Sequence, residues 1–242
     1  LSEPETNKQT NKQTLNSDVM NGYTSTVLAY GQTGTGKTTT MEGNILDPVA
    51  YGIIPRSINR IFETLHEPNT QSRVTCSYLE IYNEELSDLL ADNNNRADGG
   101  EKIEIMNGKE GTCCRGLIEK EVATLKDVLD LIQKAVQSRR MGETKMNKRS
   151  SRSHCIFTVH VYSRCESVDG SGNNMEYHGK LHMVDLAGSE NAKSSELGSR
   201  QSPSGSTRER ERKNINTSLL TLGRVISAVK NISLGKKNER VP

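Results

Sequence analysis

Apolar positions recur along this chain with two different periods. Leu125, Leu129, Ile132 and Val136 stand at helical spacing, with Thr124 placed to cap the first turn. Ile215, Leu219, Leu222, Ile226 and Val229 form a longer stripe of the same kind. They predict a helix over about 214–231 whose apolar face packs on a sheet. Residues 53–65 also read as a helix, with Pro55 in the first turn, where proline is tolerated. Residues 155–162 alternate as a strand does. Residues 25–30 and 73–82 are β-prone, and 180–186 carry Leu181, Met183, Val184 and Leu186. A short helix is expected over 84–90. Strands alternating with helices predict an α/β domain with a mainly parallel, helix-covered central sheet.

The polar stretches divide the chain. Residues 1–18 repeat Asn-Lys-Gln-Thr at 7–10 and 11–14, which predicts a solvated or disordered lead-in. Residues 91–100 are Asn/Asp/Gly-rich, and 194–206 are Ser/Gly-rich with Pro203. Both read as loops. One domain over 19–242 remains, long enough to bury a core.

Composition alters this picture in three places. The chain is polar, with 32% hydrophobic residues, no Trp and two Phe. Its net charge of +2 hides an asymmetry: residues 200–242 hold ten Lys/Arg against three Asp/Glu, and the remainder is net acidic. A basic end on a near-neutral chain points to an acidic partner there. The five cysteines, Cys76, Cys113, Cys114, Cys155 and Cys165, form no C-x-x-C pair. Cys113-Cys114 reads as ordinary strand or loop, with metal binding as the weaker alternative. No apolar run approaches the roughly 20 residues of a membrane span, and the first residues are no signal peptide. A reduced, cytosolic or nuclear setting is expected.

The chemistry begins at Gly31, Gln32, Thr33, Gly34, Thr35, Gly36, Lys37 and Thr38. This is G-x-x-x-x-G-K-[ST] between a β-prone run and a stretch that can open a helix, the context a phosphate-binding loop needs. Glycines let backbone N–H groups turn toward phosphates. Lys37 is placed to meet the β/γ-phosphates and the Thr38 hydroxyl to ligate Mg²⁺. Asp185-Leu-Ala-Gly188 ends a predicted strand with the form D-x-x-G. Its carboxylate can hold Mg²⁺ through water, and its glycine N–H can sense a γ-phosphate. Asn147-Lys-Arg-Ser-Ser-Arg-Ser-His154 lies between a helix and a strand. Its hydroxyls can ligate metal and place water; a helix-ending turn or a phosphorylation site accounts for the same composition equally well.

The three motifs together, with Leu79-Glu-Ile-Tyr-Asn-Glu-Glu-Leu86 and Ser218-Leu-Leu-Thr-Leu-Gly-Arg-Val-Ile226, resemble the kinesin motor domain, most of all the BimC-type, kinesin-five spindle class. The resemblance runs from about residue 21 to 242. It implies a P-loop nucleoside triphosphatase fold with ATP and Mg²⁺ as cofactors and the microtubule as partner, rather than nucleic acid or membrane. It implies a switch I at 147–154, a switch II at 185–190 and a relay helix near 214–231. By motif position Ser150 resembles the residue that places the lytic water, and Ser151 joins Thr38 and Asp185 on the metal side. Gly188 resembles the γ-phosphate sensor, and Arg152 and Glu190 the ion pair that latches the switch loops. Lys213, Asn216, Lys236, Lys237 and Arg240 match positions near the microtubule contact, facing tubulin's acidic tails; a solvated surface competes for the Lys236-Lys237 pair.

The pattern departs at several points. Both ends of the family domain are absent, including the neck linker, so a fragment is expected, with oligomerisation through segments outside these residues. The loop after Glu190 is long and Ser-rich, and the segment 42–48 is short for the spindle class. The reading is a microtubule-stimulated ATPase motor core on cytoplasmic or spindle microtubules. The alternatives are a microtubule-gripping fragment without ATP turnover and a G-protein-like switch. The lack of an Asn-Lys-x-Asp guanine motif weighs against the last.

Overall fold

The computed structural model describes residues 17–65, 70–91, 102–108, 111–141, 151–165, 175–190 and 205–235. Strand β1 (Thr24–Ala29) runs into the glycine loop and a short helix α1 (Lys37–Met41). Helix α2 (Ile53–Leu65) follows, with the bounds that the sequence predicts. Strand β2 (Thr70–Tyr82) turns through Asn83 and Glu84 into β3 (Glu85–Asp88). A separate hairpin, β4 (Glu104–Gly108) with β5 (Gly111–Arg115), carries the Cys113-Cys114 pair. Then come β6 (Lys120–Val122), α3 (Leu125–Met141), β7 (Ser153–Cys165), β8 (Met175–Asp185) and the long α4 (Gly205–Ser233).

The main sheet has the order β1-β8-β7-β2-β3, with β6 also on β2. Only β1 and β8 pair in parallel; the other pairings among the described strands are antiparallel. The α/β class therefore holds while the mainly parallel sheet does not. The β7–β8 connection spans nine residues, too few for a parallel crossover through a helix, so antiparallel pairing is the physical outcome.

Period-two patterning makes one sheet face apolar. Cys76 and Tyr78 of β2, Phe157 and Val159 of β7, and Leu181 and Met183 of β8 are at most 1% exposed. In register they share one side of the pleat. Against them pack Ile54, Ile58 and Ile61 of α2 and Val128, Ile132 and Ala135 of α3. Tyr78 meets Phe157 edge-on, with ring centroids 5.2 Å apart. The opposite face bears Thr75, Thr158, His160 and His182. Helix α3 starts at a reciprocal cap: Thr124 Oγ1 accepts from the Asp127 amide at 3.2 Å, and the Asp127 carboxylate accepts from the Ala123 and Thr124 amides.

Four further expectations change. Residues 84–90 form a turn and strand β3 instead of a short helix, because Asn83 and Glu84 take positive φ and reverse the chain into a two-residue hairpin. Helix α4 begins at Gly205, so 205–213 is helical where loop was expected. After Gly205 this stretch lacks glycine and proline and is rich in Glu, Arg and Lys, good helix formers. The apolar stripe of α4 is not buried along its length: Ile226 and Val229 are half exposed. Among the described residues, side-chain bonds from this helix to Arg152, Asn83 and His154 come from Glu211, Asn214 and Ser218, all in its first half. The lead-in is the last: residues 1–16 lie outside the described residues, but Ser17 and Asp18 belong to a helical turn whose Val19 is fully buried.

Candidate active site

Parallel pairing of β1 with β8 sets Ala29 opposite Asp185, so two motifs separated by some 150 residues leave the sheet at the same edge. Carboxyl ends of parallel strands are where open α/β sheets bind ligands. The pairing continues beyond the strands: Leu186 N–H donates to the Ala29 carbonyl at 3.2 Å, and Ser189 N–H to the Gly31 carbonyl at 3.1 Å. The D-x-x-G loop thus lies along the phosphate loop. Gly36 takes φ 88°, a left-handed conformation that an L side chain rarely adopts, and from there the chain enters α1.

Lys37 folds back onto the start of its own loop. Its Nζ donates to the Gly31 and Gln32 carbonyls, each at 2.9 Å. Thr38 Oγ1 donates to Asp185 Oδ2 at 2.5 Å. Asp185 Oδ1 is buried and has no hydrogen-bond partner among the described residues. Burial lifts the Asp185 carboxyl above its usual range; the Thr38 bond and the charges of Arg139 and Lys37 oppose that without cancelling it. A hydroxyl and a carboxylate side by side, with one buried oxygen unserved, form an oxygen-donor set suited to a hard cation such as Mg²⁺. The residues present fit that ion.

The loops around this centre are pinned to one another. Gly188 N–H donates to the Ser151 carbonyl at 2.9 Å, joining the D-x-x-G loop to the Ser/Arg motif. A Cβ on Gly188 would overlap the Glu190 carboxylate and Thr33 Oγ1, so the position admits no side chain without rearrangement. Glu190 accepts from Thr33 N–H at 2.9 Å and from Thr33 Oγ1. Burial disfavours its charge, but those hydrogen bonds and Lys37 outweigh it and hold the carboxyl below its usual range.

The structure brings together most of the residues the sequence singles out. Thr38 and Asp185 touch, Ser151 and Gly188 touch, and Glu190 reaches the phosphate loop. Arg152 and Glu190 are not paired with each other: Arg152 Nη1 bonds Glu211 Oε2 of α4 at 2.9 Å, while Glu190 holds Thr33. Lys213 is exposed on α4, and Asn216 is half-buried. Ser150, Lys236, Lys237 and Arg240 lie outside the described residues.

Sequence reasoning misses Glu211, a buried carboxylate in a stretch read as loop. It also misses the buried cluster behind the site. Arg139 of α3 lies 3.8 Å from Glu42 and 3.5 Å from Glu80, and the Tyr78 hydroxyl donates to Glu42 at 2.7 Å. Burial raises the Glu42 carboxyl, with Tyr78 and Arg139 pulling the other way. One signal was available: a charged residue at 139 on the inner, Ile132–Val136 side of the α3 stripe.

The kinesin motor domain family matches residues 2–242. A kinesin-like protein KIN-5B of Arabidopsis thaliana is 43% identical over 222 residues, and a kinesin-like protein KIF11 of Xenopus tropicalis is 44% identical over 224. Each alignment covers 88% of this chain and 20% of the relative, so the chain spans about one fifth of the length of these curated relatives. A solved structure of a fast kinesin, described for its ATPase mechanism and interactions with microtubules, superposes with a TM-score of 0.75. It is 34% identical, over 95% of this chain and 60% of that one. Family match, shared fold and the convergence of the three motifs at one sheet edge agree: this chain belongs to the kinesin motor domain family.

Proposed function

We propose that the chain is the ATP-hydrolysing core of a microtubule motor related to the kinesin-five spindle class. The observation that carries the reading is the Thr38–Asp185 contact with the unserved Asp185 oxygen, with Lys37 held on the adjoining glycine loop. Bound Mg²⁺-ATP would supply the phosphoryl group to be cleaved and a cation to balance its charge. The protein's part is to bind, orient and exclude water. The phosphate loop and Lys37 would hold the polyphosphate, Thr38 and Asp185 would hold the metal side, and Gly188 N–H, once released from the Ser151 carbonyl, would donate to a γ-phosphate. Ser151 and Ser150 take the metal-side and water-placing roles by motif position. Arg152 and Glu190, which hold other partners in this structure, would exchange them to form the latch when the loops close.

Microtubule binding falls to α4 and the segment after it. Lys213 on the exposed helix surface supports this, as does the basic end of the chain. A cytoskeletal, microtubule-associated location follows from the same reading. Steady-state ATPase measured with and without microtubules tests it. Stimulation by microtubules is expected, and nucleotide binding without turnover in either condition overturns the proposal.

A further inference from the structure

One buried side chain bridges two elements of the site without belonging to the phosphate-binding set. His154, the second residue of β7, is 8% exposed. Its Nδ1 lies 3.2 Å from the Ala187 amide nitrogen and its Nε2 lies 2.9 Å from Ser218 Oγ. An amide N–H can only donate, so Nδ1 is the bare nitrogen and Nε2 carries the proton. Nε2–H then donates to Ser218 Oγ, whose own hydrogen goes to the Ile215 carbonyl at 2.8 Å. A one-way chain of three hydrogen bonds thus runs from the amide of Ala187 to the backbone of α4. Burial favours the neutral ring that this arrangement requires.

The other end of that chain is the phosphate-facing loop. The next amide along, Gly188 N–H, is held by the Ser151 carbonyl. These two peptides flank the α-carbon of Ala187, which is fully buried. Turning Gly188 N–H away from Ser151 toward a phosphate rotates the backbone about Ala187, and in a packed interior the neighbouring amide moves with it. The Arg152–Glu211 and Asn214–Asn83 contacts also hold the start of α4; Arg152 is next to Ser151, whose carbonyl accepts from Gly188 N–H, but among the described residues neither contact is a side-chain bond to the 185–190 loop. His154 is bonded to both.

We propose that His154 is a positioning residue that couples the D-x-x-G loop to α4, with Ser218 as its receiver on the helix. This rests on the motor reading above. The test uses the 242-residue chain and measures microtubule affinity by cosedimentation in Mg-ADP and in a non-hydrolysable ATP analogue. The ratio of the two affinities is the coupling between sites, and such couplings are typically about 5- to 150-fold. Ser218→Ala is expected to shrink the ratio by about fivefold or more, leaving nucleotide affinity without microtubules within about twofold. His154→Asn keeps an acceptor near Ala187 but falls short of Ser218, and should shrink the ratio likewise. The double variant should lose no more than the larger single effect, since one chain of bonds is cut twice. Ser218→Thr keeps the hydroxyl and should keep the ratio.

An unchanged ratio in Ser218→Ala, additive losses in the double variant, or a Ser218→Thr variant as impaired as Ser218→Ala each overturn the assignment. A wild-type chain whose microtubule affinity ignores the nucleotide overturns the motor reading itself, and this inference with it.

Discussion

Lys37 reaches two carbonyls of its own loop, which holds its ammonium against the glycine loop. Lys37→Ala removes the one fixed cation of the cradle and leaves the apolar core untouched. The variant should fold normally, by circular dichroism, and lose tight Mg-ATP binding. Unchanged affinity in an equilibrium titration refutes the site. Arg152 and Glu190 call for a different experiment, since each has another partner in this structure. If they meet only in the hydrolysis-ready arrangement, Arg152→Ala or Glu190→Ala should bind ATP nearly normally and hydrolyse it roughly 10²-fold more slowly. Single-turnover chemistry at the wild-type rate in either variant rules out the latch. These side chains were named from their motifs. Their current partners, Glu211 and Thr33, could not be named, because a motif states which residues act together and not where each rests between steps.

Helix α3 shows how much of an element its residues specify. Its stripe, its start and its cap follow from the spacing of Leu125, Leu129, Ile132 and Val136 and from Thr124. Thr124→Ala should cost about 1 kcal/mol, read as a lower urea midpoint with an unchanged slope. A midpoint unchanged within error would mean that the Asp127 half of the cap suffices alone. Helix α4 shows the limit. Its apolar stripe located the helix but misjudged its length and its burial. Whether a given turn of a helix is covered depends on what lies beside it, and that is not encoded in the helix's own period. Strand β3 fails for the opposite reason: a run of seven residues satisfies helix and strand patterns alike until a tight turn at Asn83 and Glu84 decides.

The whole molecule carries charge unevenly, and its polar sheet face contains titrating groups. Burial pushes the His160 imidazole down to about 4, with Glu119 opposing and Lys180, His178 and His182 adding to the shift. Unfolded histidine takes up protons near pH 6.5. Between that value and about 4 the unfolded chain binds the extra proton, so the stability His160 contributes is complete above about pH 6.5 and is lost as pH falls. The gap in urea midpoint between wild type and His160→Gln should therefore narrow or reverse on going from about pH 7 to pH 5. A pH-independent gap contradicts the assignment. The basic end makes a separate prediction. Neutralising Lys213, Lys236, Lys237 and Arg240 together should weaken microtubule cosedimentation most at low salt, because exposed charges are screened over about 8–10 Å at physiological ionic strength. Intrinsic ATPase without microtubules should not change. A flat salt series would place the microtubule contact elsewhere.

Taken alone, the residues determine that this is an α/β chain with a phosphate-loop motif, and which loops carry the motifs of the family. Glycine conformations, a lysine at fixed offset and helix periods are local properties, readable within a few residues. The tertiary structure decides what is non-local. It sets the sense of each strand pair, and the predicted parallel sheet gives way to a mixed one. It sets the meeting of Thr38 with Asp185 across the sheet edge, the burial of Arg139 between Glu42 and Glu80, and the passage of hydrogen bonds from Ala187 through His154 to Ser218. Each of these joins groups from strands and helices far apart in the chain. Their distances depend on how whole elements pack, a cooperative outcome that no local pattern contains.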